Sequence, residues 1–454
     1  MSSVPAFSGL TTALRGVISQ QRALDVTGHN IANVETKGYS RQEAVLGATN
    51  PLLLDSGQIV GGYGAQLGQG VDVLEFRRLR DDFLDLQWRG QNGAFGQADT
   101  LASRLRQVES SVNDTTSSGI SAQLNAFYNG WGDLAAHPES GAARTALYGN
   151  AQNLIAGLRG LDATLATLSG QATSAIADTL APGGPIDKIA QELRQLNDGI
   201  NQAQIVGIQP NDLLDRRDLL LDQLSQYGTV STSIPDTTRP GHMRVIFAGQ
   251  SAPLVDNDAP VPITLPTPAS IAPPATPPGG RLSGLLETGT AISGYRAQLD
   301  TLAALLVSQV NGQHGAPPFF DPVGTTAATI ALGAGISGPQ AIQAGASGAA
   351  GDNSIALAIS QQRTSSGANP TTDWATLLAR VGSDLNIQQV NTQTSQRVLD
   401  SITAQRTSQS GVSLDEEMAN MLRFQRGYQA SARALTTMDE NLDILINRTG
   451  RVGL

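Results

Sequence analysis

The sequence predicts a mainly α fold with β-rich insertions. It is a long helical bundle whose N- and C-terminal helices pair as a coiled coil, with a β-rich outer domain between them. Three observations point there. Apolar residues recur alternately four and three apart at both ends of the 454-residue chain. Long helical periods fill most of the interior. Stretches rich in Pro, Gly and β-branched residues interrupt that interior at 229–279 and 316–352. The chain is too long for one compact core. Residues 1–42 with 412–454 read as the terminal coiled coil, 43–228 with 280–315 and 353–411 as the bundle, and 229–279 with 316–352 as the outer domain.

The first stripe is Leu10, Leu14, Val17, Gln21, Leu24, Gly28 and Ile31, with Ser8 a candidate cap. Gly28 and the Asn residues of HNIANVETKGYSRQ (29–42) then favour a helix end. Residues 43–76 read as extended or hairpin structure, VDVLEF most clearly. Helix resumes from Arg77 with an irregularity expected near Gly90 to Gly96, and continues at about 119–136, 141–178 and 185–205. PNDLLDRRDLLLDQLSQY (210–227) is an amphipathic helix whose Asp-Arg-Arg-Asp run reads as a solvated face or an ion-pair lattice. Short strands and a Pro-dense linker follow, then helix from about Gly280 to Asn311 and through most of 353–446. The last helix carries Leu414, Met418, Met421, Gln425, Tyr428, Ala432, Leu435, Asp439, Leu442 and Ile446, with Ser413 and Glu416 spaced as a capping box. One helix cannot bury its own stripe. Leu10, Leu14, Val17, Leu24 and Ile31, with Met418, Met421, Tyr428, Leu435 and Leu442, are therefore expected to form an assembly interface.

Composition removes several functions. With no Cys, disulfides, Cys-containing zinc sites and thiol chemistry are excluded. The formal charge is −10 and the 29 Lys and Arg are scattered, which argues against nucleic acid. No run of about eighteen apolar residues is present, so no membrane insertion is expected. The N-terminus lacks a signal peptide's basic and apolar regions, so any export proceeds without a cleaved signal. GAGISG (333–338) matches G-x-G-x-x-G, but Pro339 follows where a helix should open, and the motif reads as a loop turn. His29, His137, His242 and His314 have no ligand-like spacing, DND (256–258) is too short for a calcium loop, and Asp81/Asp82 and Glu416/Glu417 are expected to point apart. No catalytic, metal or cofactor site is expected.

SGLTTALRGVISQQRALDVTGHNIANVETKGYSRQ resembles the N-terminal signature of the bacterial flagellar axial proteins (rod, hook and hook-associated proteins), with IANVETKGYSRQ its core. GVSLDEEMANMLRFQRGYQASARALTTMDENLDILIN resembles their C-terminal counterpart. The matching motif positions are Asn30, Asn33, Gly38, Tyr39, Ser40 and Arg41. NDLLDRRDLLLDQLSQY, GGRLSGLLETGTAISGYRAQLDTLAALLVSQVNGQH with FFDP, and GQGVDVLEFRRLRDDFLDLQWR resemble the hook-associated members. The stretches 229–279 and 316–352 resemble nothing specific and are short for the family. The resemblance implies a structural adaptor between hook and filament. It implies export through the flagellar type III apparatus to an extracellular site. The implied partners are further copies in a ring at the hook tip, the hook protein, the second junction protein, and an export chaperone on the C-terminal helix. Another axial component is the alternative reading, and a flagellum-linked cell-wall hydrolase a remote one.

Overall fold

The computed structural model describes residues 8–54, 65–112, 119–234, 241–256, 277–364 and 369–448. The Pro-dense linker at 257–276 and most of DND lie outside them.

Helix α1 (Ser8–Ala32) and the last helix, α10 (Leu414–Asp443), lie side by side and antiparallel. A Cβ added to Gly9 would stand 2.9 Å from the sulfur of Met438, one on Gly16 2.8 Å from the Ser431 hydroxyl, and one on Gly427 2.8 Å from the Gln20 side chain. Each of these glycines leaves room for a side chain of the facing helix. Ala13, Ser19, Ala23, Thr27 and Asn30 are the buried residues of α1. The seam thus differs from the predicted stripe. Leu10, Leu14, Val17, Leu24 and Ile31 each follow a seam position by one residue and are half-buried or exposed. On α10 the inner row is Glu417, Asn420, Phe424, Gly427, Ser431, Leu435, Met438 and Leu442. Met418, Met421 and Tyr428 again stand one residue on and exposed. Gly28 has open space around it, and α1 continues through it. Ser413 makes no side-chain cap bond, and the Glu416 carboxylate is paired with Arg41.

Strands β1 (Gln42–Ala48) and β4 (Val71–Arg78) form an antiparallel hairpin from Gln42↔Arg78 to Ala48↔Val71, with a bulge at Val45/Leu46. A smaller pair, β2 (Leu52–Leu54) and β3 (Ala65–Leu67), lies between them in the chain. The hairpin rests on α1, where Ser19 donates to the Val71 carbonyl at 3.2 Å.

The bundle holds α2 (Asp82–Ser111), α3 (Ile120–Ala136), α4 (Gly141–Leu180), α5 (Pro185–Ile205), α6 (Asn211–Tyr227), α7 (Gly280–His314), α8 (Ser354–Gln362) and α9 (Pro370–Ser410). Asp81 caps α2, accepting from the backbone of Phe83 and Leu84. The helix runs unbroken through Gly90–Gly96, where an irregularity was expected. A Cβ on Gly96 would stand 2.6 Å from the Gln226 carbonyl and one on Gly93 3.1 Å from that of Ser225, so these glycines admit the end of α6. On another side, α9 runs antiparallel to α2, with Trp88 Nε1 donating to Thr403 at 2.9 Å and Gln91 to the Ser395 carbonyl at 3.2 Å.

Two apolar cores result. The first joins α2, α3, α4, α7, α8 and α9 around Phe127, Trp131, Phe319 and Phe320. The second joins the end of α4 with α5, α6, the start of α7 and the hairpin of β5 (Val230–Ser233) and β6 (Arg244–Phe247). Residues 316–352, expected with 229–279 in one outer domain, pack as irregular chain into the first core through Phe319, Ala327, Ile330, Ile336 and Ile342. GAGISG is a turn of that chain, and only a short 3₁₀ turn follows it at Pro339–Ala341. His314 holds the segment. Its Nδ1 donates to the Pro317 carbonyl at 2.8 Å, and its Nε2 accepts from the Gln343 amide at 3.1 Å. Burial lowers its pKa, and the bond to Pro317 acts the other way without overcoming it.

Two outcomes follow for stability. Gly90 has open space, so Gly90→Ala should raise stability by about 0.5–1 kcal/mol through helix propensity. Gly96→Ala should lower it by about 1–3 kcal/mol through overpacking. Denaturant midpoints of the two variants should move in opposite directions. For His314 the folded pKa lies below the unfolded value of 6.5, so its contribution is present above that value and is lost as pH falls through it. His314→Gln should flatten this step in the midpoint-versus-pH curve.

Candidate functional site

The polar string at 33–42 joins four elements. α1 ends at Ala32, and Asn33, Thr36 and Tyr39 close successive backbone turns. Gly38 then adopts φ +85°, a left-handed conformation, with the Leu219 side chain packed against it. The chain doubles back so that Gln42 lies beside Asn30. The buried Asn30 amide pairs with the Gln42 backbone as a neighbouring strand would, accepting from its N–H at 2.9 Å and donating to its carbonyl at 2.9 Å. The Tyr39 hydroxyl donates to the same Asn30 oxygen at 2.7 Å. Burial, aided by the charges of Asp212, Asp215 and Glu417, raises the Tyr39 pKa and keeps that proton in place.

From there the string reaches across the molecule. Glu417 of α10, only 2% exposed, accepts from Asn30 at 3.1 Å and from Arg41 Nε at 2.7 Å. Arg41 Nη1 also binds Glu416 at 2.7 Å, so the adjacent carboxylates expected to point apart converge on one guanidinium. The Arg41 amide donates to the Ser410 carbonyl, fixing the end of α9. The Ser40 amide donates to Asp215 of α6 at 2.9 Å, and Gln42 bonds both Asp212 and Asn211. Asn33, the remaining asparagine of the motif, stays local, with its side chain donating to the His29 carbonyl at 3.0 Å.

Beneath the string lies an ion-pair lattice. Asp215, Asp218 and Asp222 follow i, i+3, i+7 spacing and share one face of α6. Arg78 binds Asp215 and Asp218, each at 2.9 Å. Arg89 binds Asp218 at 3.3 Å and Asp222 at 2.7 Å. Arg80 pairs with Asp85, and Arg406 of α9 bridges Asp85 and Asp222, each at 2.9 Å. Burial works to raise the Asp218 pKa, but Arg80, Arg78 and Arg89 outweigh it and hold the group below the usual carboxylate range. Burial lowers the neighbouring Arg217 to about 10, and its Nη1 donates to the Gly241 carbonyl at 2.9 Å. Only Arg216 of the run behaves as a solvated face, pairing with Glu192 on the surface.

This polar joint has no apolar substitute. Among the described residues, neither apolar core includes a residue of α1, β1, β4 or α10. Sequence reasoning found the string but missed Glu417 and Arg80 as its counterparts, and Arg78, Arg89 and Arg406 as members of the lattice. The one available signal was the i, i+3, i+7 acidic row on α6 facing the arginines of EFRRLRDD.

The predicted interface residues have a definite arrangement. Leu10, Leu14, Val17, Leu24 and Ile31 on α1, and Met418, Met421 and Tyr428 on α10, each lie one residue C-terminal to a seam position, a turn of about 100° about each axis, whereas Leu435 and Leu442 continue the inner row of α10. Because the helices are antiparallel, equal rotations carry both stripes to the same side of the pair. Leu14 and Met418 are exposed, and Met421 and Tyr428 are 36% and 37% exposed; Leu10, Val17, Leu24, Ile31, Leu435 and Leu442 are half-buried. Among the described residues no group of three or more His, Asp or Glu could hold a metal ion, and no helix is long and apolar enough to cross a membrane.

Asp218→Asn should leave Arg78, Arg80 and Arg89 short of a buried carboxylate and cost about 3–5 kcal/mol. The folded pKa of Asp218 lies below the ordinary 3.8, so its contribution is present above that value and is lost as pH falls through it. Urea midpoints of the parent chain should drop below pH ~4, whereas Asp218→Asn should lack that part of the drop.

Comparison with known proteins covers the same regions. Residues 105–317 match the family model described as "Flagellar hook-associated protein FlgK helical domain". Residues 400–448 match "Flagellar basal body rod FlgEFG protein C-terminal", and 10–39 match "Flagella basal body rod protein". The chain is similar to flagellar hook-associated protein 1 of Bacillus subtilis, with 29% identity covering 98% of both chains. Its similarity to the Salmonella typhimurium protein of that name is 31% over 49% of this chain and 39% of that one. For the flagellar hook junction protein FlgK of Burkholderia pseudomallei, a solved structure, identity is 25%, coverage 50% of this chain and 43% of that one, and the TM-score 0.42. The rod-protein matches fall on the two helices that form the seam, the hook-associated match falls on the bundle, and the similarity to flagellar hook-associated protein 1 runs from end to end.

Proposed function

We propose that the chain is a structural subunit at the hook–filament junction of the bacterial flagellum, an adaptor that works by packing rather than by catalysis. The observation that carries the packing mechanism is the shared apolar face of α1 and α10. An intrachain seam already pairs the two helices, so the exposed apolar residues beside it are open to other subunits. At interface cores, large apolar and aromatic residues such as these contribute most of the binding energy. The polar joint would fix the angle at which the bundle presents the pair.

In this reading the chain forms a ring with further copies at the hook tip and contacts the hook protein on one side and the second junction protein on the other. An export chaperone covers the C-terminal helix before assembly, and export proceeds through the type III apparatus without a cleaved signal. The similarity to flagellar hook-associated protein 1 of Bacillus subtilis supports the place in the flagellum.

The test is complementation of cells that lack this protein. Met421→Asp puts a carboxylate on the exposed face, away from the seam. It should leave the far-ultraviolet dichroism of the purified chain unchanged while cells shed filaments into the medium. Met421→Leu nearly keeps volume and polarity and should retain them. Normal filament retention with Met421→Asp would remove this face from the junction.

A further inference from the structure

The β1–β4 hairpin has two outer edges, and the molecule treats them differently. Along β4 the outward carbonyls of Val71 and Phe76 are occupied, by the Ser19 hydroxyl at 3.2 Å and the Asn211 amide at 2.9 Å. Along β1 the Asn30 side chain bonds both backbone groups of Gln42. Strand alternation turns Ala44 and Leu46 to the same side as Gln42. The Arg41–Leu79 and Thr49–Gly70 backbone bonds at the two ends of the ladder fix that parity. Among the described residues, no partner meets the outward backbone groups of Ala44 and Leu46. β1 has no Pro or Lys, the residues that commonly guard such an edge.

Beside that edge runs an open slot of about 430 Å³. Its floor includes Val26 and Thr27 of α1, and its far wall is Glu417, Asn420, Arg423 and Phe424 of α10. Val26 and Arg423 precede the seam residues Thr27 and Phe424 by one position. The slot therefore lies on the flank of the helix pair opposite Met418, Met421 and Tyr428, which follow the seam by one. Five charged groups line it, Arg41, Glu43, Arg77, Glu417 and Arg423. Arg41 is paired with Glu417 at 2.7 Å and Arg77 with Glu43 at 3.2 Å. Among the described residues Arg423 has no acidic partner, and its guanidinium lies 4.7 Å from the centre of the Phe424 ring. One uncompensated positive charge thus stands across the slot from two open backbone rungs.

We propose that the slot takes an extended acidic segment of a partner protein as a third strand on the outer edge of β1. The backbone of the segment bonds Ala44 and Leu46, in line with the rung that Asn30 already closes. A carboxylate on the segment meets Arg423. In strand addition of this kind the main-chain bonds supply affinity, and the side chains beside the edge supply selectivity. The single unpaired arginine selects against basic segments, which would bring like charges together. The inference does not depend on where the chain sits in the flagellum, and it leaves the apolar face of α1 and α10 open.

A library of random octapeptides, displayed on phage and selected on the purified full chain, tests the proposal. Recovered sequences should be rich in Asp and Glu and poor in Pro, which cannot complete the edge bonds. A recovered peptide is then made with N-methyl groups on one or the other set of alternate residues. One set should weaken binding by about tenfold or more and the other should be tolerated, because only every second residue of an added strand faces β1. Arg423→Glu should turn the selected sequences from acidic to basic. Arg423→Gln, a milder change beside Glu417, should abolish the acidic preference with the far-ultraviolet dichroism unchanged. No sequence preference on the parent chain, the same acidic sequences from Arg423→Gln, or equal losses from both methylation patterns would overturn the proposal. Self-association of the purified chain that Arg423→Gln abolishes would overturn it too, because a second copy would then fill the slot.

Discussion

Charge neutralisation around α6 is the constraint on which this structure turns. Asp215, Asp218 and Asp222 are largely removed from water, as are Arg80 and Arg89. Stripping charges of solvent costs several kcal/mol per ion, and only good geometry and further hydrogen bonds recover it. Each group in the lattice therefore has to meet its partners together with the rest. Arg78 comes from the hairpin, Arg89 from α2 and Arg406 from α9. A one-residue slip of any element would strand a buried charge. The lattice is thus better understood as a device for register than as a source of net stability.

The polar string extends that register to the terminal helices. Ser40 binds Asp215 inside the lattice, and its neighbour Arg41 binds Glu416 and Glu417 outside it. Three consecutive residues, Ser40, Arg41 and Gln42, thereby connect α6, α10 and the end of α1. Residues that look unsuited to a core are suited to this place. Ser40 and Gln42 find counterparts on α6, Arg41 finds its own on α9 and α10, and the Gln42 backbone pairs with Asn30 of α1. An apolar contact in the same position would hold the pieces together without fixing their angle.

Much of the helical layout was legible in the sequence, because periodicity and punctuation both mark it. Pro185 and Pro370 open helices, and the shift from Val71–Arg78 to the pattern after Asp82 marks strand against helix. The seam between α1 and α10 was displaced by one residue, for a physical reason. Gly9, Gly16 and Gly427 contribute by leaving room for the side chains of Met438, Ser431 and Gln20, which hydropathy does not measure. Leu14, Met418 and Met421 beside them have the stronger signal but are exposed. Gly93 and Gly96 were misread in the same way, as weakness rather than as room for the Ser225 and Gln226 carbonyls. Glu417 could not be found from local sequence at all. It lies 387 positions from Asn30, and only the antiparallel pairing brings them together.

The central claim is that this polar joint, rather than an apolar core, couples the terminal pair to the bundle. Amide hydrogen exchange of Arg41→Ala against the parent chain, followed by peptide, tests it most directly. The expected result is lost protection along α10 and the C-terminal half of α1, with protection of the core helices α3, α4 and α7 unchanged. Unchanged protection of α10, or an equal loss across the whole chain, would contradict it.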